Sequence, residues 1–377
     1  MNFSLKKTTQ ALLLSGFLCW GHYSFAQLNL PMAGGSKKAS VSEWIGVTKV
    51  TIDYGRPAVN GREGKIWGEL VPYGFTNLGY GFLTPAPWRA GANENTVIRF
   101  EHDVKIEGKD LKAGDYGFHI ALAENGEATL IFSTTSTAWG SYFYRPEEDA
   151  LRVVVKTEKT STSQEYLSYE FINQTNNTAT VQLRWEKLAI PFKVEVDVTK
   201  NVVAGLRKQL LGLSGAMNTW QVWNEAAQYC ANNNTNLEEA LKWADYSLSA
   251  PFVGEKHFSN LATKAQILEK LGKGTEAQVI MKDAINYGTA QEIHYYARSL
   301  QGQKKTKEAI EIFKLNAQKF PNEWVVNVGL ARAYSAEGNF KKALEHANIA
   351  AKKAPDEQNK KNLEGLIKKL EAGQDIN

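Results

Sequence analysis

Between Val41 and Val198 apolar residues recur at every second position in short runs. Val50, Ile52 and Tyr54 alternate with Thr51 and Asp53, and Ile98, Phe100 and His102 alternate with Val97, Arg99 and Glu101. The stretches 151–156, 166–172, 181–185 and 192–198 are rich in Val, Ile, Tyr, Phe and Thr. Such period-two runs are half-buried strands. Glu107-Gly108, Asn125-Gly126 and Asn176-Asn177 punctuate them where hairpin turns are expected, because glycine accepts positive φ without a Cβ clash. About eight to ten short strands with regular turns predict an all-β sandwich or barrel, and no long helix is expected before residue 200.

After Val198 the period changes. Val202, Val203, Leu206 and Leu210 fall on one helical face, with Thr199 as the expected cap. A repeat then appears. Ala240, Ala277, Ala309 and Ala343 open comparable second helices at spacings of 37, 32 and 34 residues. The clearest unit carries Leu330, Ala331, Tyr334, Gly338, Phe340, Ala343, Ala350 and Pro355. Small residues let the two helices of a hairpin approach, large ones fill the groove beside them, and proline stops the second helix. The preceding units keep Ala297, Leu300, Ala309, Phe313 and Pro321, and Ala265, Leu268, Gly272, Ala277 and Ala284, while the one around Ala240 is degenerate. Leu363, Ile367 and Leu370 are spaced for an amphipathic capping helix.

The first residues have the pattern of a targeting signal. Lys6 and Lys7 precede the apolar stretch from Ala11 to Leu18, and Ser24-Phe25-Ala26 places small residues where a signal peptidase acts. A cleaved signal peptide over 1–26 is expected, with the mature chain starting at Gln27, periplasmic or secreted. Cys19 raises a lipoprotein alternative, but Gly16-Phe17-Leu18 lacks the usual residues before a lipidated cysteine. The apolar run is shorter than the roughly 20 residues a transmembrane helix needs, and no later stretch is long and apolar enough. Cys230 would be the lone cysteine of the mature chain, which excludes an internal disulfide and a Cys-rich zinc site. A formal net charge of +4 without a dense basic patch argues against a nucleic-acid partner.

The loop-rich stretch from Tyr54 to Thr96 holds the candidate chemistry. Arg56, Arg62 and Arg89 lie there among Trp67, Trp88, Asn93, Glu94 and several glycines. Arginine offers a planar fork of donors suited to carboxylate or phosphate, so Arg56, Arg62, Trp88, Arg89, Asn93 and Glu94 are the ligand-binding candidates. The same side chains could instead tie the loop to the sheet through backbone hydrogen bonds. Of the tryptophans, Trp44, Trp139 and Trp185 are expected in the core and Trp67 and Trp88 in loops. Asp53 and Glu94 offer two carboxylates for acid and base work on a glycosidic bond. No catalytic residue is assigned. A Gly-x-Ser-x-Gly elbow, a phosphate-binding glycine loop and a His-Glu-x-x-His pair are all missing from the sequence. No cofactor or metal is called for, and His102 and His119 are expected to be satisfied surface or core residues.

Two resemblances follow from these residues. Residues 46–195 resemble the bacterial family of unknown function DUF2911, common in exported proteins. The matching residues are Gly46-Val47-Thr48, Tyr54-Gly55-Arg56-Pro57, Gly61-Arg62, Leu70 to Gly74, Trp88-Arg89-Ala90-Gly91-Ala92-Asn93-Glu94, Leu111 to Tyr116 and Trp139-Gly140. The family implies no established activity. Residues 218–356 resemble tetratricopeptide repeats, which implies a concave surface for a protein or peptide partner.

The expected organisation is a signal peptide (1–26), a DUF2911-like β-domain (27–198), a linker and connecting helix (199–217), a tetratricopeptide-like array (218–356), and a capping helix and tail (357–377). The expected function is an envelope interaction protein. Its array would bind a protein or peptide and its β-domain an unidentified ligand. The alternatives are a carbohydrate- or anion-binding module, and a hydrolase using the loop carboxylates.

Overall fold

The computed structural model describes residues 35–377; the expected signal peptide and Cys19 lie outside them. The strand-rich part contains, in order, β1 (Lys37–Ile45), β2 (Thr48–Arg56), β3 (Thr76–Asn77), β4 (Pro85–Ala86), β5 (Thr96–Phe100), β6 (Val104–Ile106), β7 (Lys109–Leu111), β8 (Gly114–Leu122), β9 (Glu127–Ser133), β10 (Asp149–Lys156), β11 (Glu158–Ile172) and β12 (Thr178–Val196). The larger sheet has the order β1-β2-β5-β8-β9-β10, and a second sheet has the order β11-β12-β6-β7. They face each other through their aromatic residues. Phe118 of β8 and Phe132 of β9 stand 5.6 and 6.2 Å from Phe192 of β12, and Tyr54 of β2 meets Tyr169 of β11 at 4.8 Å. All four phenylalanine and tyrosine partners on β8, β9, β11 and β12 are buried, which makes the domain a sandwich.

Two expectations about strands are corrected. The runs 181–185 and 192–198 belong to one long strand, β12, which ends at Val196. Its continuity is hidden in the sequence because Glu186 interrupts the alternation with a left-handed φ of 51°, and the register against β11 shifts there. The alternation through His102 also overshoots, since β5 ends at Phe100.

The helical part contains α1 (Val198–Gln209), α2 (Gly212–Ala216), α3 (Trp220–Asn232), α4 (Leu237–Ser249), α5 (Phe258–Lys270), α6 (Gly274–Tyr287), α7 (Ala290–Gly302), α8 (Thr306–Lys319), α9 (Trp324–Ala336), α10 (Phe340–Lys352) and α11 (Glu357–Glu371). The cap of α1 is Asp197, whose carboxylate accepts from the Lys200 N–H at 3.0 Å; Thr199 lies inside the helix. From α3 to α10 the helices pair as hairpins. The signature alanines sit in the second helix of each pair, with Ala240, Ala309 and Ala343 fully buried and Ala277 nearly so. No larger side chain would fit there without spreading the pair. Phe313 fills the space beside Ala309, and Leu363 and Leu370 of α11 close the last hairpin. Among the described residues no helix is long and apolar enough to cross a membrane.

Candidate functional site

The stretch between β2 and β5 folds back onto the sandwich and is held there by backbone. Trp88 donates its N–H to the Ile120 carbonyl at 3.0 Å and accepts from the Ile120 N–H at 2.8 Å, so it pairs with β8. Gly55 lies directly against Ala92. A Cβ at position 55 would collide with the Ala92 carbonyl oxygen. The two sequence motifs around Arg56 and Arg89 are therefore two sides of one packed junction.

This junction walls a cavity of about 360 Å³, within the size range of small-molecule sites. Leu70, Val71, Pro72, Leu78 and Pro87 supply an apolar side. Arg62, Arg89, Asn93, Ser141 and Trp185 supply the polar groups, and among the described residues no aspartate or glutamate lines the cavity. Arg62 uses Nε on the Val59 carbonyl (3.0 Å) and Nη2 on the Ala58 carbonyl (2.8 Å). Arg89 donates from Nη1 to the Asn93 carbonyl at 2.5 Å, and its guanidinium lies 4.9 Å from the Tyr142 ring centre. These bonds fix both side chains and leave further N–H donors on each guanidinium.

Three indoles pack behind this wall. Trp67 meets Trp88 and Trp185 edge-on at 5.7 and 5.6 Å, and Trp88 lies nearly parallel to Trp185 at 6.2 Å. Trp67 donates to Glu186 Oε2 at 3.2 Å and Trp88 to the Gly91 carbonyl at 3.1 Å. The Trp185 Nε1–H is buried and has no acceptor among the described residues; the residue is 1% exposed and lines the cavity. A buried N–H without a partner is uncommon and asks for an explanation at that spot.

His119 and Ser141 add a feature that the sequence hides. His119 Nδ1 and Ser141 Oγ are 2.9 Å apart and both residues are buried. A hydroxyl bonded to an imidazole has the geometry of an activated nucleophile. A general base works best with a pKa near ambient pH. Burial, and then the Arg89 charge, pull His119 down to about 3. The pair is thus a neutral hydrogen bond supporting the cavity wall.

Of the six ligand-binding candidates, Arg62, Trp88, Arg89 and Asn93 meet at this cavity. Arg56 does not line it: its Nε donates to the Leu167 carbonyl at 2.9 Å, and its guanidinium lies over the Tyr166 ring. Glu94 pairs with Lys38 at 2.7 Å and shares a separate depression with Asp53. Asp53 pairs with Arg99. Burial pushes both carboxyls up, but hydrogen bonds outweigh it and lower them, from Ser40 and Arg99 on Asp53 and chiefly from Lys38 on Glu94. Neither has the raised pKa of a general acid. The tryptophan expectation is partly reversed: Trp44 and Trp139 are exposed, whereas Trp67 and Trp88 are packed against Trp185. Sequence reasoning missed Ser141 and Trp185 as cavity groups, and His119 as the partner of Ser141. The signal nearest to them was the Trp139-Gly140 motif, where Gly140 adopts φ 64° beneath the Arg89 guanidinium.

In the helical array α7 and α9 pack together around several polar side chains. His294 and Gln301 of α7 and Arg332 of α9 each hold a buried polar atom, Nδ1, Oε1 and Nε respectively, without a partner among the described residues.

Comparisons with known proteins match a segment in each part of the chain. The family model described as "Protein of unknown function (DUF2911)" matches residues 36–194. The tetratricopeptide repeat model matches residues 300–367. No curated protein matches the chain. Two solved structures resemble part of it. One holds the nearly identical tetratricopeptide-like repeats of a Podosopora anserina chain described as a kinesin light chain, at 17% identity and a TM-score of 0.30, over 41% of this chain and 85% of that one. The other is YrrB, a tetratricopeptide protein with an unusual peptide-binding site, at 16% identity and a TM-score of 0.29, over 44% of this chain and 84% of that one. The chain thus joins a segment matching DUF2911 to a segment matching the tetratricopeptide repeat.

Proposed function

We propose that this is an exported interaction protein whose helical array holds a protein or peptide partner. The match to tetratricopeptide repeats supports a role in protein–protein interaction. The observation that carries the reading is the junction packed between α7 and α9, where His294, Gln301 and Arg332 each hold a buried polar atom with no partner among the described residues. Desolvated groups of this kind cost free energy until a partner satisfies them. Arg298 is exposed on α7, one helical turn after His294, so Arg298→Glu should reverse the local charge without disturbing the core. Loss of partner capture by that full-length variant supports the reading, and undiminished capture contradicts it. Export rests on the Lys6–Ala26 pattern. Mass spectrometry of the protein from an envelope fraction should find an N-terminus at Gln27, and an intact Met1 in the cytoplasm would oppose it.

A second reading concerns the β-domain: its cavity binds a small organic anion. The cavity lining supports this, with two guanidinium groups, an unsatisfied indole N–H and no carboxylate. An apolar wall beside the arginines favours a carboxylate on a hydrophobic body over inorganic phosphate. Titration with aryl and alkyl carboxylates, followed by tryptophan fluorescence, tests it. A flat response across the series removes this reading and leaves the first intact.

A further inference from the structure

The chain after α11 does not leave the array. Gly373 takes φ 67°, its N–H donates to the Leu370 carbonyl at 3.0 Å, and the Gln374 N–H donates to the Lys369 carbonyl at 2.9 Å. This pair of bonds is the glycine-based stop of a helix, and it turns the following residues back onto α9. Ile376 is then buried beside Ala331, Ala343, Ala347 and Leu370.

Three successive residues are bound there by side chains of α7 and α9. Ser335 Oγ donates to Asp375 Oδ1 at 2.5 Å and accepts from the Ile376 N–H at 3.1 Å. Arg332 Nη1 donates to the Ile376 carbonyl at 2.6 Å. Asn377 Nδ2 donates to the Arg332 carbonyl at 3.0 Å, and Gln301 Nε2 donates to Asn377 Oδ1 at 2.5 Å. Both backbone groups of Ile376 are therefore held by side chains, its own side chain fills an apolar site, and the residues on either side are bound through a carboxylate and an amide. This combines the two elements of peptide recognition seen at sheet edges, backbone bonds for affinity and a side-chain site for selectivity, here on helices.

The fit is incomplete. Arg332 Nε, Gln301 Oε1 and His294 Nδ1 stay buried without partners while the tail is in place. Burial and the nearby Arg298 pull Arg332 down to about 10, and Asp375 opposes them. The surface is still cationic at neutral pH, and the tail satisfies part of it.

We propose that this face of α7 and α9 is a recognition site for a peptide of acidic–aliphatic–amide pattern, which residues 375–377 occupy in the free chain, so that a partner binds by displacing them. The proposal rests on the array's being the partner-binding part and adds the partner's chemistry. Tethering explains how so short a segment stays bound: a short linker gives an effective concentration in the millimolar range. A competing peptide then shows an affinity reduced by the fraction of chain whose site is open. A partner that also bonds Arg332 Nε and Gln301 Oε1 would overcome that reduction.

The test uses the full-length chain and a synthetic, fluorophore-labelled peptide spanning residues 371–377. Binding is followed by anisotropy for the natural chain, for Asp375→Ala/Ile376→Ser, and for the same double variant with Arg332→Met. Saturable binding to the double variant is expected, about tenfold tighter than to the natural chain if some 10% of natural sites are open, and lost with Arg332→Met. Equal binding to the natural chain and the double variant, or no saturable binding to a double variant with the natural melting temperature, overturns the proposal. Should the double variant fail to fold, the Ile376 methyl signal of the natural chain decides by NMR. Unlabelled peptide at millimolar concentration should move that signal toward its solvent-exposed position, and an unmoved signal counts against displacement. A negative peptide result with persistent partner capture sensitive to Arg298→Glu removes this proposal and keeps the wider interaction reading.

Discussion

Gly55 and Ala92 are packed so closely that the Ala92 carbonyl oxygen occupies the space a side chain at position 55 would need. Gly91 closes the same junction, since a Cβ there would press on Thr96 Oγ1 and the Gly55 carbonyl. The junction sets where Arg89 and Asn93 stand, so the shape of the cavity depends on Gly55, which does not itself line it. Gly55→Ala should lower the stability of the β-domain by about 1–3 kcal/mol, the usual range for overpacking. Urea denaturation followed by tryptophan fluorescence measures it, and an unchanged midpoint would mean that the junction can relax.

Arg89 and Arg56 provide a matched comparison. Both stand beside aromatic and glycine residues in the sequence, yet Arg89 lines the cavity and Arg56, the last residue of β2, is bonded to the Leu167 carbonyl. For any carboxylate that binds, Arg89→Gln should weaken affinity roughly tenfold to a hundredfold, the loss expected for a charged hydrogen bond of about 1.5–3 kcal/mol. Arg56→Gln should leave affinity nearly unchanged. Isothermal titration of both variants separates the two roles, and an equal effect would contradict the assignment of the cavity.

How much of this was legible in the sequence depends on the range of the interaction. Period-two alternation exposed the strands because one face of each sheet is buried, and the spacing of Ala240, Ala277, Ala309 and Ala343 exposed the hairpins because those positions admit no bulk. Glu186 broke the alternation of β12 by adopting positive φ, and sequence alone offers no reason for a glutamate to do so; the structure shows its carboxylate accepting from Trp67 Nε1 and the Gly64 N–H. The pairing of His119 with Ser141 and the convergence of Arg62, Arg89 and Trp185 were illegible because tertiary folding alone brings them together. The tail on α9 was equally hidden: its apolar content is one isoleucine, Ile376.

Two buried imidazoles contribute to the acid response. Burial first, then Arg89, holds His119 at about 3, and burial with Arg332 and Arg298 holds His294 at about 4. Both values lie below the unfolded value of about 6.5, so the unfolded chain takes up these protons first as pH falls. Stability is fully present above pH 6.5 or so and declines toward the folded values, by up to about 1.4 kcal/mol per pH unit for each group. Denaturation midpoints between pH 7 and pH 4 should show this decline, with a smaller slope in His119→Asn. An identical slope in that variant would show that His119 is not its source.

Ala343 is fully buried against α9 and α11 residues, including Ala331 and Leu370. Ala343→Leu should destabilise the array by about 1–3 kcal/mol and loosen the site of Ile376, which belongs to the same cluster. Hydrogen exchange should rise at the backbone of Ile376 along with α9 and α10. Exchange confined to α10 would mean that the tail is held independently of that cluster.

The most direct test of the interaction role is site-specific photocrosslinking in the intact protein, in the cells that produce it. A photoreactive residue at Arg298, exposed on α7, should yield a discrete adduct with one protein, while the same residue at Glu311, exposed on α8, should yield none. Adducts of equal strength at the two positions, or none at position 298, would contradict the assignment of that surface to a partner.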